Sequence, residues 1–144
     1  MEVFVANEQD VPVDEERLSA LARHMLSAEK VDGDAELSVL LVTQEHMRRL
    51  NARFAGEDHV TDVLAFPMME DEEESLLLGD VVICPRVASR NATAMGHAVA
   101  RELDVILVHG TLHLLGYDHQ GNEDKTAMDA RLKELLDSFK PTRV

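Results

Sequence analysis

The sequence predicts an α+β domain, a small mixed β-sheet packed with helices, in a single unit spanning residues 1–144. Three observations carry that expectation. Short apolar runs and segments of 3.6-residue periodicity are mixed along the chain without strict alternation, which points away from a regular parallel α/β fold. At 144 residues, a folded domain hides roughly 68–70% of the surface its unfolded chain exposes, enough for a core without covalent staples. The lone cysteine, Cys84, has no partner for an internal bridge, so a reducing compartment is the expectation.

Taken in order, EVFVA near the start reads as a strand. The segment from Asp14 to Lys30 places Leu18, Leu21, Ala22, Met25 and Leu26 at helical spacing. ELSVLLV follows as a strand. Thr43 then suits the N-cap of a helix reaching about Phe54, with Glu45 in its first turn where a negative charge meets the positive end of the helix dipole. AGEDHV reads as a loop and TDVLAFPM as a strand ended near Pro67. The acidic run from Glu70 to Glu74 is expected to be a solvated loop. LLLGDVVICP is a further strand, in which Gly79 marks a bulge or a close backbone approach. Pro85 suits the first turn of the helix RVASRNATAM, and Gly96 separates it from a second helix, Ala98 to Leu115. That second helix is apolar almost all round from Val105 to Val108, as a buried helix is. After the polar turn DHQGNED, Asn122 is placed to cap a last helix with Met128, Leu132, Leu135, Leu136 and Phe139 on its inner face. No repeat, linker or low-complexity tract interrupts this order.

The N-terminal MEVFVANEQDVPVDEE has no basic segment leading into a long apolar run, and no stretch approaches the roughly 18 apolar residues of a membrane span. A soluble, cytoplasmic protein without membrane contact is expected. The formal net charge of −14 repels polyanions at long range, so DNA is not an expected partner.

The window HGTLHLLGYDH carries the chemistry. Side chains four apart on an α-helix differ by about 40° around the axis and about 6 Å along it, so His109 and His113 project side by side. Gly116 can adopt the left-handed conformation that ends a helix, and the reversal lets His119 approach the same point. Two histidines at this spacing also arise by chance on a buried helix. Three, with a glycine placed to fold the third back, point to a metal site at the end of that helix. Three nitrogens leave a fourth tetrahedral position for water or substrate, the arrangement of a catalytic zinc. The spacing H-x3-H-x2-G-x2-H is that of metzincin proteases, whose general base is a glutamate immediately after the first histidine; here that residue is Gly110. Peptidase chemistry is therefore not supported. His24, His46 and His59 read as surface residues, and His97 as lying near a helix start.

The same window resembles the histidine motif of the YbeY family of bacterial rRNA maturation factors, H-G-x-L-H-L-x-G-Y-D-H, at every specified position. LNARFAGEDHVTDVLAFP and LGDVVIC are similar to two further motifs of that family, in the family's order, so that the resemblance spans about Leu50 to His119. It implies a zincin-like fold and one zinc ion per chain held by His109, His113 and His119. It also implies a single-strand-specific endoribonuclease acting on the 3′ end of small-subunit rRNA and in ribosome quality control, within the cytoplasm. Two positions depart from the family pattern: Ala55 stands where many members carry an arginine, and Ala65 where the strand motif has serine. Arg53 lies two residues before Ala55, which on a helix is about 200° round the axis, so it is no automatic substitute.

The chemistry expected of such a site is hydrolysis, with the zinc-bound water as nucleophile and a cation stabilising charge on the phosphoryl group. Arg53 is the first candidate for that cation, with Arg86 and Arg90 beside it; each is otherwise a solvated surface residue. Asp118, Asp62 and Asp80 could orient a ligand or cap a turn. Because Lys and Arg number 14 against 28 acids, RNA or the small ribosomal subunit is reached either through a local basic rim or through a protein partner. Two alternatives stand beside the nuclease: a zinc-containing ribosome-assembly factor with little nuclease activity, and a metal-dependent hydrolase of another substrate class.

Overall fold

A computed structural model describes residues 2–31, 33–56, 61–67, 77–117 and 121–140, with the side chains of Ala55 and Asn122 outside that description. In chain order its elements are β1 (Glu2–Glu8), α1 (Glu15–Ala28), β2 (Glu36–Val42), α2 (Gln44–Ala55), β3 (Val63–Pro67), β4 (Leu77–Ile83), α3 (Pro85–Met95), α4 (Val99–Leu114) and α5 (Asn122–Ser138). The fold is α+β, and its sheet is mixed. The strand order is β1-β2-β4-β3, with β1, β2 and β4 parallel and β3 antiparallel to β4.

Local chemistry explains most boundaries. The Asp14 carboxylate accepts from the Arg17 amide and the Thr43 hydroxyl from the His46 amide, satisfying N–H groups that the first helical turn leaves without partners. Pro85 opens α3, where its missing N–H costs nothing. Gly56, at φ 71°, and Gly96, at φ 73°, close α2 and α3 in the left-handed region. The cap of α5 is Gly121, one residue before the Asn122 expected from sequence: Gly121 is extended, and its carbonyl already accepts from the Lys125 amide at 2.9 Å. Glycine is tolerated at an N-cap, so the boundary moves without a side-chain oxygen.

Side-chain alternation on β2 divides the interior in two. Leu37, Val39 and Leu41 face the larger core, built with α1, α4 and α5 through residues such as Leu21, Met25 and Leu107. Leu40 and Val42 face the smaller one, closed by Met47 and Leu50 of α2 against Val82, Leu64 and Phe66. Helices α2 and α4 thus cover opposite faces of the sheet. Helix α4 is the central helix, touching β3, β4, α1, α3 and α5.

Two glycines set how closely these layers meet. In the β2–β4 pairing Glu36 faces Leu77 and Leu37 faces Gly79, leaving Leu78 as the extra residue of a bulge. Gly79 has φ 143°, and a Cβ there would collide with the Phe66 carbonyl oxygen. Gly110 lies on the sheet-facing side of α4, where a Cβ would stand 2.9 Å from Val81 Cγ1 and 3.0 Å from Val63 Cγ2. Close approach of helix and sheet depends on the missing side chain.

Candidate metal centre

Helix α4 delivers the first two expected ligands. Its 16 residues are anchored by buried Leu103, Ile106, Leu107, Val108 and Leu112, leaving His109 and His113 half-buried on a common stripe. Their Nε2 atoms stand 3.1 Å apart, with ring centroids at 4.7 Å and planes at 76°. Two nitrogens bound at about 2.0–2.1 Å to one tetrahedral ion would stand about 3.3 Å apart, so the pair fits two ligands of a single zinc with a shift of tenths of an ångström. Both nitrogens are of the kind such an ion takes.

The helix ends as the glycine requires. Gly116 has φ 99°, its amide donates to the His113 carbonyl at 3.1 Å, and the Tyr117 amide donates to Leu112 at 3.0 Å. This is a Schellman turn, which uses two of the carbonyls left over at the helix end. His119 and Asp118 lie outside the described residues, as does His59. Among the described residues no group of three His, Cys, Asp or Glu side chains forms a metal-binding set.

Tyr117 is fixed by its side chain as well. Its hydroxyl donates to Glu29 at 3.2 Å, and Glu29 is paired with Arg131, whose Nη2 also donates to the Ala28 carbonyl at 3.2 Å. Burial, and then the Glu29 carboxylate, push the Tyr117 phenol above its usual value, so the hydroxyl keeps its proton. Beside this turn lies a cavity of about 340 Å³ lined by Leu115, Gly116, Tyr117, Asp124 and Ala127.

The other candidates are dispersed. Arg53 lies exposed in the last turn of α2 with its guanidinium 5.2 Å from the Phe54 ring. Phe54 meets Phe66 edge-on at 5.3 Å, so Arg53 sits by the sheet face opposite α4. Arg86 is 3.8 Å from Asp10 at the start of α3, and Arg90 is exposed on the same helix. The Asp62 carbonyl accepts from the Cys84 amide, a structural role, and Asp80 is exposed on β4 opposite Ser38. Asp80 and Ser38 line a cleft of about 430 Å³ with Leu40, Leu50, Phe54 and Phe66. His97 lies just before α4, as expected, 3.4 Å from Glu102. His24 is half-buried rather than on the surface, because Ser138 and Phe139 of the α5 end close over it.

Several contributors escape a sequence reading. Glu102 and Asp104 are buried on α4, and Asp104 is held by Arg17 of α1 at 2.8 Å. Two acids within an apolar helix signal a need for partners, though not which ones. Glu29 and Arg131 are 102 residues apart and leave no local trace.

Comparison with known proteins places these features in context. Residues 4–140 match the family described as Endoribonuclease YbeY. The chain is 49% identical over 143 residues to Endoribonuclease YbeY of Thermobifida fusca, covering 94% of this chain and 92% of that protein. It is 45% identical over 155 residues to Endoribonuclease YbeY of Salinispora tropica, covering 99% of each. The solution structure of a Thermotoga maritima protein is similar at a TM-score of 0.62 and 26% identity, over 99% of both chains.

Proposed function

The chain belongs to the Endoribonuclease YbeY family, hydrolases acting on phosphodiester bonds, and from that premise we propose that it cleaves single-stranded RNA with one zinc ion held by His109, His113 and His119. The substrate in this reading is rRNA of the small subunit, cut in maturing its 3′ end and in ribosome quality control. The observation that carries the metal assignment is the 3.1 Å pairing of the two Nε2 atoms on α4. When bound, zinc supplies Lewis acidity toward a phosphoryl oxygen and lowers the pKa of water toward about 7.

The protein's own residues do the rest. His109 and His113, set on one rigid helix, present their nitrogens at a fixed separation, so little ordering remains to be done on binding. Gly110 leaves no carboxylate beside the first ligand and faces the sheet, so the base of a metzincin peptidase is missing for a packing reason. Arg53 is the cation assigned to phosphate contact; because it lies on the α2 side of the sheet, across from α4, its part in this reading is to hold the RNA strand rather than to touch the reacting phosphoryl group. No helix among the described residues is long and apolar enough to cross a membrane.

The test uses metal-stripped and zinc-reconstituted protein on single-stranded RNA, duplex RNA and casein. Zinc-dependent cleavage of the single strand alone is expected. His113→Ala should lose both zinc and cleavage, whereas Arg53→Ala should keep its zinc and raise KM. Casein cleavage, or zinc bound in full by His113→Ala, would overturn the reading.

A further inference from the structure

We propose that the cleft between α2 and the sheet face turned away from α4 is a subsite for one unpaired nucleobase, guanine above all, with Asp80 as the residue that reads it; this rests on the reading of the chain as a protein that takes single-stranded RNA. The strand registers build the site. Asp80 of β4 lies opposite Ser38 of β2 and Phe66 of β3, and neighbouring strands are about 4.8 Å apart, so the three side chains form a row on one face. Val81, next to Asp80, points the other way and meets α4 at Gly110. Leu40 and Leu50 continue the lining as an apolar wall, and Phe54 closes it, 57% exposed and edge-on to Phe66 at 5.3 Å. The cleft holds about 430 Å³, within the range of small-molecule sites.

The chemistry of the lining selects the ligand. A lone exposed phenylalanine is ordinary on a protein surface. Here the Phe54 ring stands against a second ring, with the Arg53 guanidinium 5.2 Å from its centre, and aromatic and guanidinium planes are what an unpaired base stacks on. Neither the Asp80 carboxylate nor the Ser38 hydroxyl is bonded to another described side chain, so both are open to a ligand. An ionised carboxylate only accepts, so it repels a phosphate and selects donors. Guanine offers two side by side, N1–H and the N2 amino group, to match the two carboxylate oxygens. Cytosine and adenine set an amino group beside a ring acceptor, and uracil sets its single N–H between two carbonyls. Arg53, beside Phe54, is the cation at hand for the phosphate of the same nucleotide. In a duplex these base edges are already paired, so the cleft admits only single strands. The strand that carries Phe66, β3, is the edge of the sheet, and its other face meets α4 through Val63 at Gly110, beside His109. A single strand rounding that edge connects the cleft with the α4 side.

The experiment measures binding of fluorescein-labelled RNA pentamers to the full chain by anisotropy, with metal stripped so that none is cut. UUGUU should bind about 10-fold more tightly than UUUUU, the worth of one two-point base contact. UUIUU, in which inosine lacks only the amino group of guanosine, should lose most of that gain. Asp80→Asn should erase the guanine preference. Asp129→Asn, which removes an exposed acid from α5 across the sheet, should shift all three pentamers alike and keep the preference. Phe54→Ala should weaken all three by about 10-fold and keep their order, because every base has a face to stack. Equal affinity for UUGUU and UUUUU, or a preference that survives Asp80→Asn, would overturn the proposal, as would the absence of binding to any pentamer. If the zinc-reconstituted protein still cleaves single-stranded RNA in those cases, the cleft assignment falls alone. A guanine preference that Asp80→Asn erases, in a protein that cleaves no RNA, would keep the cleft and overturn the nuclease reading. Self-association in sedimentation that Phe54→Ala abolishes would give the face to a second copy and overturn the proposal too. Both altered side chains are exposed, and should Phe54→Ala fail to fold in thermal unfolding, Asp80→Asn carries the test.

Discussion

Gly110 occupies a position where sequence comparison suggests chemistry and the structure shows packing. In a helix interior, glycine is about 1 kcal/mol less favourable than alanine, so Gly110→Ala would stabilise the protein if space allowed. The space is not there: the added carbon would stand 2.9 Å from Val81 Cγ1, and Val81 is fully buried at the centre of the sheet. We expect Gly110→Ala to destabilise by about 1–3 kcal/mol in urea denaturation, so that the sign of the change reads out the contact. At this scale the sequence is informative where spacing and geometry coincide. The pair His109 and His113 is legible because four residues make just over one helical turn, and Gly116 because few other residues adopt its backbone conformation. Tyr117, Glu29 and Arg131 are not legible as a group, since nothing in a linear pattern joins residues 29 and 131.

Helix α4 is apolar enough to be recognised as buried, yet it carries two carboxylates that need partners. Asp104 finds one in Arg17, whose guanidinium is held above its ordinary pKa chiefly by hydrogen bonding to that carboxylate. Because the raised value belongs to a base, the contribution is full throughout the ordinary pH range and is lost only as pH rises past the usual arginine value. The Arg17 side chain is 34% exposed, so water screens part of the attraction. Asp104→Asn should therefore cost about 1–2 kcal/mol, measured by chemical denaturation, rather than the 3–5 kcal/mol of a fully buried pair. Elements as such follow from periodicity, and their order in the sheet does not. The patterns of ELSVLLV and LLGDVVI show two strands, but nothing in either says that they lie side by side with β3 displaced to the edge.

Across the whole molecule, 28 acids against 14 Lys and Arg set the terms on which RNA is met. Long-range repulsion is screened by salt, with a Debye length near 10 Å at about 0.1 M. The association rate for a short single-stranded RNA should accordingly rise between about 20 and 150 mM NaCl in stopped-flow fluorescence, opposite to the behaviour of a basic RNA-binding protein. A fall would show that a local cluster of cations governs the encounter. The antiparallel β3–β4 pair has a kinetic consequence of its own. Its strands are joined through only nine residues, whereas the β2–β4 pair closes a much longer stretch of chain, so the hairpin is the sheet's most local contact. Its connection carries Glu70, Asp71, Glu72, Glu73 and Glu74, and drawing the strands together concentrates those five charges. Refolding should therefore quicken with added NaCl, while the same salt leaves the unfolding rate nearly unchanged: the acidic connection acts as a brake on the first pairing of the chain.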